Sequence, residues 1–363
     1  MTTSFAYELA SLVATQSSLF GGATESAYAL PWYVVVGEPG TGKSTAIRAV
    51  NLSWPRGNAP LAMNVPNQRC QYWLPEKAVF IEPGASVLGP QRSPTALQEL
   101  CQELLERRPR EPLDGVLVIV NARMLADFSN EGAEHYAKAL RRYLIEIAQQ
   151  LDADVPTYLV VTGFDGLWGF GDAFRWTAER SREEPWGFTI SPRLARSEYG
   201  ARAALELEGV AARIEAMCFA KVASEEPPDV RARAYQHLTE CRDLLTRLRE
   251  LLATLMTANT FERSPWIRAM VLGSGLPGTG HKLRHRASQF AQMGYVAPQT
   301  SGTPSAGGMP MHALLNDVLL PERDIVPTRQ RWIDDKPLLA LFALASVSWV
   351  ALLIVFVVRA LVR

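Results

Sequence analysis

The chain has 363 residues, 48% of them hydrophobic, with 37 basic side chains balanced by 37 acidic ones. That is room for one large domain or two smaller ones, with apolar material enough for a core, and the even charge leaves no global field to attract nucleic acid. The four cysteines, Cys70, Cys101, Cys218 and Cys241, contain no CxxC pair, which argues against a zinc or redox motif and fits small buried thiols in a reducing compartment.

Residues 1–28 predict an N-terminal helical segment. No basic n-region opens it, and Glu8, Gln16 and Ser17 interrupt its apolar stretch, so it does not read as a signal peptide and the bulk of the chain is expected to stay in the cytoplasm. Strands are predicted at Trp32–Val36, Ala78–Ile81, Gly115–Val120, Thr157–Thr162 and Trp266–Leu272. Each is a short run apolar on both faces, as strands covered by helices on both sides are. Amphipathic helices lie between them. Leu97, Leu100, Cys101, Leu104 and Leu105 mark one; Leu140, Tyr143, Leu144, Ile147 and Leu151 mark another, both at i, i+3, i+4, i+7 spacing. The alternation predicts an α/β doubly wound sheet.

Residues 201–261 read as helical throughout. Leu238, Cys241, Leu245, Leu248, Leu252 and Leu255 form a seam of near-heptad period; because it lasts under three heptads it is read as packing on the sheet or the preceding helix, with a partner coiled coil as the alternative. His281, Lys282, Arg284, His285 and Arg286 form a basic cluster, read as solvated surface with anionic lipid as the alternative. Residues 297–311 (APQTSGTPSAGGMPM) read as a linker or long loop. From Leu338 to Val358 runs a stretch without charge, interrupted by Ser346 and Ser348, that spans about 30 Å as a helix. It predicts a transmembrane helix over 337–359 with the N-terminal domain left in the cytoplasm, inserted after synthesis because so little chain follows. The expected organisation is therefore a helical segment at 1–28, a P-loop NTPase-like domain at 29–200, a helical subdomain with a returning strand at 201–295, a linker at 296–336 and the span.

The phosphate-binding signal is Gly37-Glu38-Pro39-Gly40-Thr41-Gly42-Lys43-Ser44, which fits GxxxxGK[ST] and sits between an apolar strand and a helix opening with Thr45. Glycines let successive backbone N–H groups turn toward one anion. Lys43 would neutralise the β- and γ-phosphates of GTP or ATP, and the Ser44 hydroxyl would serve Mg²⁺. A carboxylate at the end of a neighbouring strand usually holds the metal through water, and Glu82 is the candidate, both for that role and as the one candidate catalytic group. Asp114 lies at the wrong end of its strand and Asn121 is uncharged. Asp165, in Thr162-Gly163-Phe164-Asp165, offers a carboxylate for a nucleobase edge, with turn formation as its alternative role.

With these residues in place the chain resembles the N-terminal cytoplasmic domain of the IcmF/TssM family of type VI secretion. The matching stretches are Leu30-Pro31-Trp32-Tyr33 leading into the P-loop, Cys70-Gln71-Tyr72-Trp73, Glu76–Glu82, Pro112–Leu117, Thr162–Phe170, Trp186–Thr189 and Trp266–Gly275, followed by the apolar span after Pro321-Glu322. The resemblance implies an inner-membrane location, and as partners TssL-like and other membrane-complex proteins, baseplate components and the lipid bilayer, with no nucleic acid. This chain departs from the family pattern in several places. The family commonly opens with paired transmembrane helices and continues into a large periplasmic portion. Where it often shows Asp-Thr-Ala-Gly, this chain has Glu82-Pro83-Gly84-Ala85, Asn67 aligns with the switch threonine, and Gly163 replaces the lysine that packs over the base. Pro83 has no N–H and Ala85 lacks glycine's freedom to bring an amide to a γ-phosphate.

The leading expectation is a membrane-anchored component of, or accessory to, a type VI secretion membrane complex, binding a nucleoside triphosphate with weak or no hydrolysis. Two alternatives stay open: an active GTPase or ATPase driving assembly of the complex, and a tail-anchored P-loop protein unrelated to secretion.

Overall fold

The computed structural model describes residues 4–20, 26–49, 53–55, 60–63, 67–89, 92–174, 186–257, 262, 264–273, 292–293, 314–323 and 325–326. The basic cluster 281–286, the linker 297–311 and the predicted span 337–359 lie outside them. Among the described residues no helix is long and apolar enough to cross a membrane.

The strands are β1 (Trp32–Val36), β2 (Ala62–Met63), β3 (Cys70–Trp73), β4 (Val79–Pro83), β5 (Gly115–Asn121), β6 (Pro156–Thr162), β7 (Trp186–Thr189) and β8 (Trp266–Leu272). They form one sheet in the order β2-β3-β4-β1-β5-β6-β8-β7. β4, β1, β5, β6 and β8 run parallel. The edges are antiparallel: β2 on β3, β3 on β4, and β7 on β8. The sheet is therefore mixed rather than uniformly parallel, because three short edge strands that sequence reading passed over flank the predicted centre.

Every residue of β1 is buried, and the pleat sends alternate residues to opposite faces. Trp32, Val34 and Val36 join a core with α1 (Phe5–Phe20), α4 (Ala96–Arg107), α6 (Asn130–Leu151), α8 (Tyr199–Val222) and α9 (Pro228–Leu255). Here α2 is Lys43–Ala49, α3 Ala85–Leu88, α5 Ala122–Asp127 and α7 Phe170–Phe174. Tyr33 and Val35 face the other way, onto Ala46 and Ile47 of α2 and onto Leu319, in a π-helical turn at Leu314–Leu319.

Local chemistry sets the helix ends. The Ser129 hydroxyl accepts from the Gly132 amide at 3.1 Å to open α6, and Asp152 closes it at φ 47°. The region 201–261, predicted helical throughout, holds two helices separated at residues 223–227. Pro227 and Pro228 cause the break: proline has no N–H to continue α8 but suits the first turn of α9. The leucine seam of α9 is buried within this core, against α8 and α6, as its shortness suggested.

The N-terminal helix folds back on the sheet. Its Glu8 carboxylate, fully buried, accepts from the amides of Arg69 (2.7 Å) and Cys70 (3.3 Å) and from the Tyr72 hydroxyl (2.8 Å), while Gln16 accepts from the Trp32 indole at 3.2 Å. Glu8 thereby fixes the start of β3, the edge strand beside the candidate site.

Candidate functional site: a phosphate loop and its carboxylate

β1 ends at Val36 and the chain must then turn tightly at the carboxyl end of the parallel strands, where ligands of open α/β sheets bind. A Cβ at Gly37 would lie 2.6 Å from the Ile119 carbonyl of β5, so no larger residue passes there. Gly40 and Gly42 have φ of +82° and +86°, a region open to glycine without strain. Between them Thr41 is fully buried, its hydroxyl donating to the Glu38 carbonyl at 2.9 Å. The Thr41 carbonyl accepts from the Thr162 hydroxyl at 2.6 Å. Thr162 also lies 3.2 Å from the Val120 carbonyl, but a hydroxyl has one proton and the shorter contact takes it. Thr162 thus pins the loop to the end of β6. Sequence reading placed it at a strand end without a role; the hydroxyl among apolar neighbours was the available signal.

Lys43, the first residue of α2, curls over the loop and donates to the Gly37 and Glu38 carbonyls, 3.0 Å each. Burial lowers its pKa from the ordinary lysine value, and the negative charges of Glu82 and Glu38 oppose that shift. Half-buried Thr45 lies in the same helical turn. The Ser44 hydroxyl donates to the Glu82 carboxylate, 3.0 and 3.2 Å from its two oxygens. Glu82 is the penultimate residue of β4, which extends two residues further than predicted. It also accepts from the Trp73 indole Nε1 at 3.0 Å, and Arg48 lies over the Trp73 ring at 5.1 Å from its centroid. Pro39, Lys43, Ser44, Arg48, Trp73 and Glu82 line one cleft of about 690 Å³.

The donor set fits a hydrated Mg²⁺ beside a polyphosphate: a hydroxyl and a carboxylate, both hard oxygen ligands, adjoin a lysine and a glycine loop whose turns leave room on the backbone. Lys43 and Ser44 would hold the phosphates and the metal, with Glu82 behind the metal.

The remaining sequence candidates sit elsewhere. Asp165 is buried in the turn Phe164–Gly166 after β6 and does not line this cleft. Gly163 has φ +68°, and a Cβ there would stand 2.9 Å from Asn121 Nδ2, so a lysine would be strained in its backbone and would displace the Asn121 side chain. Asn121 itself caps α5, accepting from the Met124 amide at 3.1 Å. Asn67 occupies an exposed turn at φ 55°. Asp114 lies at the far end of β1, accepting from the Trp32 amide (2.7 Å) and Arg108 (2.8 Å). Burial raises its pKa, and the Arg108 charge pulls it back.

The family model described as the IcmF-related N-terminal domain matches residues 90–347. The chain belongs to this family. The IcmF-related match begins after the P-loop, so the phosphate-site geometry is an observation separate from it. A curated relative, the type VI secretion system component TssM1 of Pseudomonas aeruginosa, is 25% identical over 349 residues. The alignment covers 93% of this chain but 32% of the relative, so the chain spans about a third of that protein's length. Among solved structures, the G domain of the Thermotoga maritima FeoB iron transporter gives a TM-score of 0.24 at 16% identity, covering 41% of this chain and 82% of that one. The Chaetomium thermophilum signal recognition particle receptor SRβ with GDP and Mg gives 0.23 at 16% identity, covering 38% and 64%. Likeness at that level carries no argument about this chain.

Proposed function

We propose that this chain is the nucleotide-binding, membrane-anchored part of a component of the type VI secretion membrane complex. It takes GTP or ATP with Mg²⁺ through residues 37–45 and Glu82, and it hydrolyses the nucleotide slowly or not at all. The single observation that carries the binding reading is the assembled site. Gly40 and Gly42 turn the loop at positive φ, Lys43 is poised over it, and Ser44 meets Glu82 at 3.0 Å. Membership of the IcmF-related family and the likeness to TssM1 support the secretion context.

Weak turnover is supported by the segment after Glu82. Pro83 carries no N–H, and the Gly84 amide is already spent on the Arg69 carbonyl at 2.9 Å, so two successive backbone positions offer nothing to a transferring phosphoryl group. The base-reading role of Asp165 and the span over 337–359 belong to the same proposal, as do TssL-like and baseplate partners at the inner membrane. A second reading, an active GTPase or ATPase, draws on the Ser44–Glu82 contact, since a carboxylate so placed can serve a catalytic metal.

A single-turnover assay on the full chain separates the two readings. The proposal predicts that radiolabelled GTP or ATP stays bound and largely intact, and that a Lys43→Ala chain retains none. Rapid cleavage lost in Lys43→Ala would replace it with the second reading.

A further inference from the structure

The carboxylate of Glu82 is held from two sides. The Ser44 hydroxyl on α2, 3.0 Å from Oε2 and 3.2 Å from Oε1, donates its one proton to the carboxylate, and the Trp73 indole on β3 donates to Oε2 at 3.0 Å. The sheet explains how a tryptophan comes to be there. β3 pairs antiparallel with β4 so that Gln71 stands opposite Glu82 and Trp73 opposite Phe80. Residues two apart share a face, and Trp73 therefore sits diagonal to Glu82, on the side covered by α2. It is 4% exposed, with the Arg48 guanidinium over its ring. Arg48 is one helical turn beyond Ser44, so α2 supplies both a hydroxyl to the carboxylate and a cation that covers the indole.

The two hydrogen bonds differ in what a metal would ask of them. Ser44 would offer an oxygen lone pair to Mg²⁺ while its one proton can remain on Glu82, so its hydroxyl would be shared between the two. The indole N–H is a donor that has no other use and cannot bind a cation, so it stays on Oε2. A glutamate has one more rotatable bond than an aspartate and needs an anchor to present a fixed oxygen, and a hydroxyl shared with a metal is a weaker anchor than an indole N–H with a single acceptor. We propose that Trp73 is a positioning residue for the Mg²⁺ site: its N–H holds the Glu82 carboxylate in place beside the metal. The inference rests on the nucleotide-binding reading above and specifies how the metal part of that site is built.

Outer-sphere hydrogen bonds to metal-site groups are worth about 10–100-fold in metal affinity. Nucleotide binding to the full chain is therefore titrated at fixed nucleotide against Mg²⁺, and separately in EDTA, for the wild type and Trp73→Phe. The expected result is a Mg²⁺ half-saturation at least about tenfold higher in Trp73→Phe, with the affinity in EDTA unchanged. If the phenylalanine chain does not fold, the Trp73 indole is replaced by the isosteric benzothiophene, which removes the N–H and keeps the ring, with the same expectation. An unchanged Mg²⁺ midpoint in a folded variant overturns the role of Trp73 and leaves nucleotide binding standing. An equal loss with and without Mg²⁺ also overturns it, since that marks a merely structural residue. No nucleotide binding by the wild type overturns both readings together.

Discussion

Thr162 does with one proton what the glycines cannot do. Glycine lets residues 37–44 turn, but freedom to turn is also freedom to unwind, and the loop needs a tether. The 2.6 Å bond from the Thr162 hydroxyl to the buried Thr41 carbonyl provides it, from a strand whose register is fixed over six pairs with β5. Thr162→Val keeps the shape and removes the donor. Urea unfolding is expected to show a loss of about 1–2 kcal/mol, and an unchanged midpoint would contradict the tether. The GxxxxGK[ST] pattern made the places of Gly37, Lys43 and Ser44 legible, because that spacing between a strand and a helix fixes where each falls on the turn. The partners of Glu82 were not legible: Trp73 reaches it across an antiparallel pairing, and no local pattern in CQYW announces that register.

Two elements carry charge or polarity into the core, and each is open to a test. In α1 the buried Glu8 satisfies three donors on β3 and its approach. Glu8→Ala strands the Arg69 and Cys70 amides and the Tyr72 hydroxyl, and should cost about 3 kcal/mol in guanidinium unfolding, whereas a loss near zero would show that α1 is not seated there. In α9, His237 is fully buried and its ring lies 2.9 Å from the Trp168 carbonyl, so Nδ1 must carry the proton and Nε2 accepts from the Cys241 thiol at 3.3 Å. Burial lowers its pKa to about 4, against the opposing pull of the Trp168 carbonyl and Asp172. The unfolded chain takes up this proton near pH 6.5 and the folded chain near 4, so the contribution is full above 6.5 and is lost as pH falls toward 4. His237→Phe should flatten the fall of stability with pH by up to one proton in that window, and a slope equal to wild type would refute it. Legibility at this scale followed length. β1 and β8 matched their predicted bounds because β1 is apolar throughout and β8 is apolar at every position but Arg268. By contrast β2, β3 and β7 were missed, because runs of two to four residues show no period. The start of α9 was written in Pro227-Pro228, between two helical patterns.

At the scale of the whole molecule, the stretch 319–322, which precedes the predicted span, is fastened to the sheet through a carboxylate and a backbone carbonyl. Glu322 accepts from Tyr158 on β6 (2.9 Å) and pairs with the buried Arg268 on β8 through Nε (3.2 Å) and Nη2. Three residues earlier, the Leu319 carbonyl accepts from Tyr33 on β1, the strand that delivers the P-loop, at 2.9 Å. Glu322→Ala leaves Arg268 charged and 1% exposed, and should lower stability by about 3–5 kcal/mol, read by thermal or urea unfolding. An effect below about 1 kcal/mol, the range of a surface pair, would contradict this fastening. The molecule carries its glycine loop at one end of a mixed sheet, and residues 319–322 dock on that same sheet. The central claim is that residues 37–44 bind a nucleotide through Lys43. Calorimetric titration of GTP and ATP with Mg²⁺ into the full chain and into Lys43→Ala tests it most directly. The account predicts saturable binding by the wild type that weakens about tenfold or more in Lys43→Ala. Absence of binding in the wild type, or equal affinity in the two chains, would contradict it.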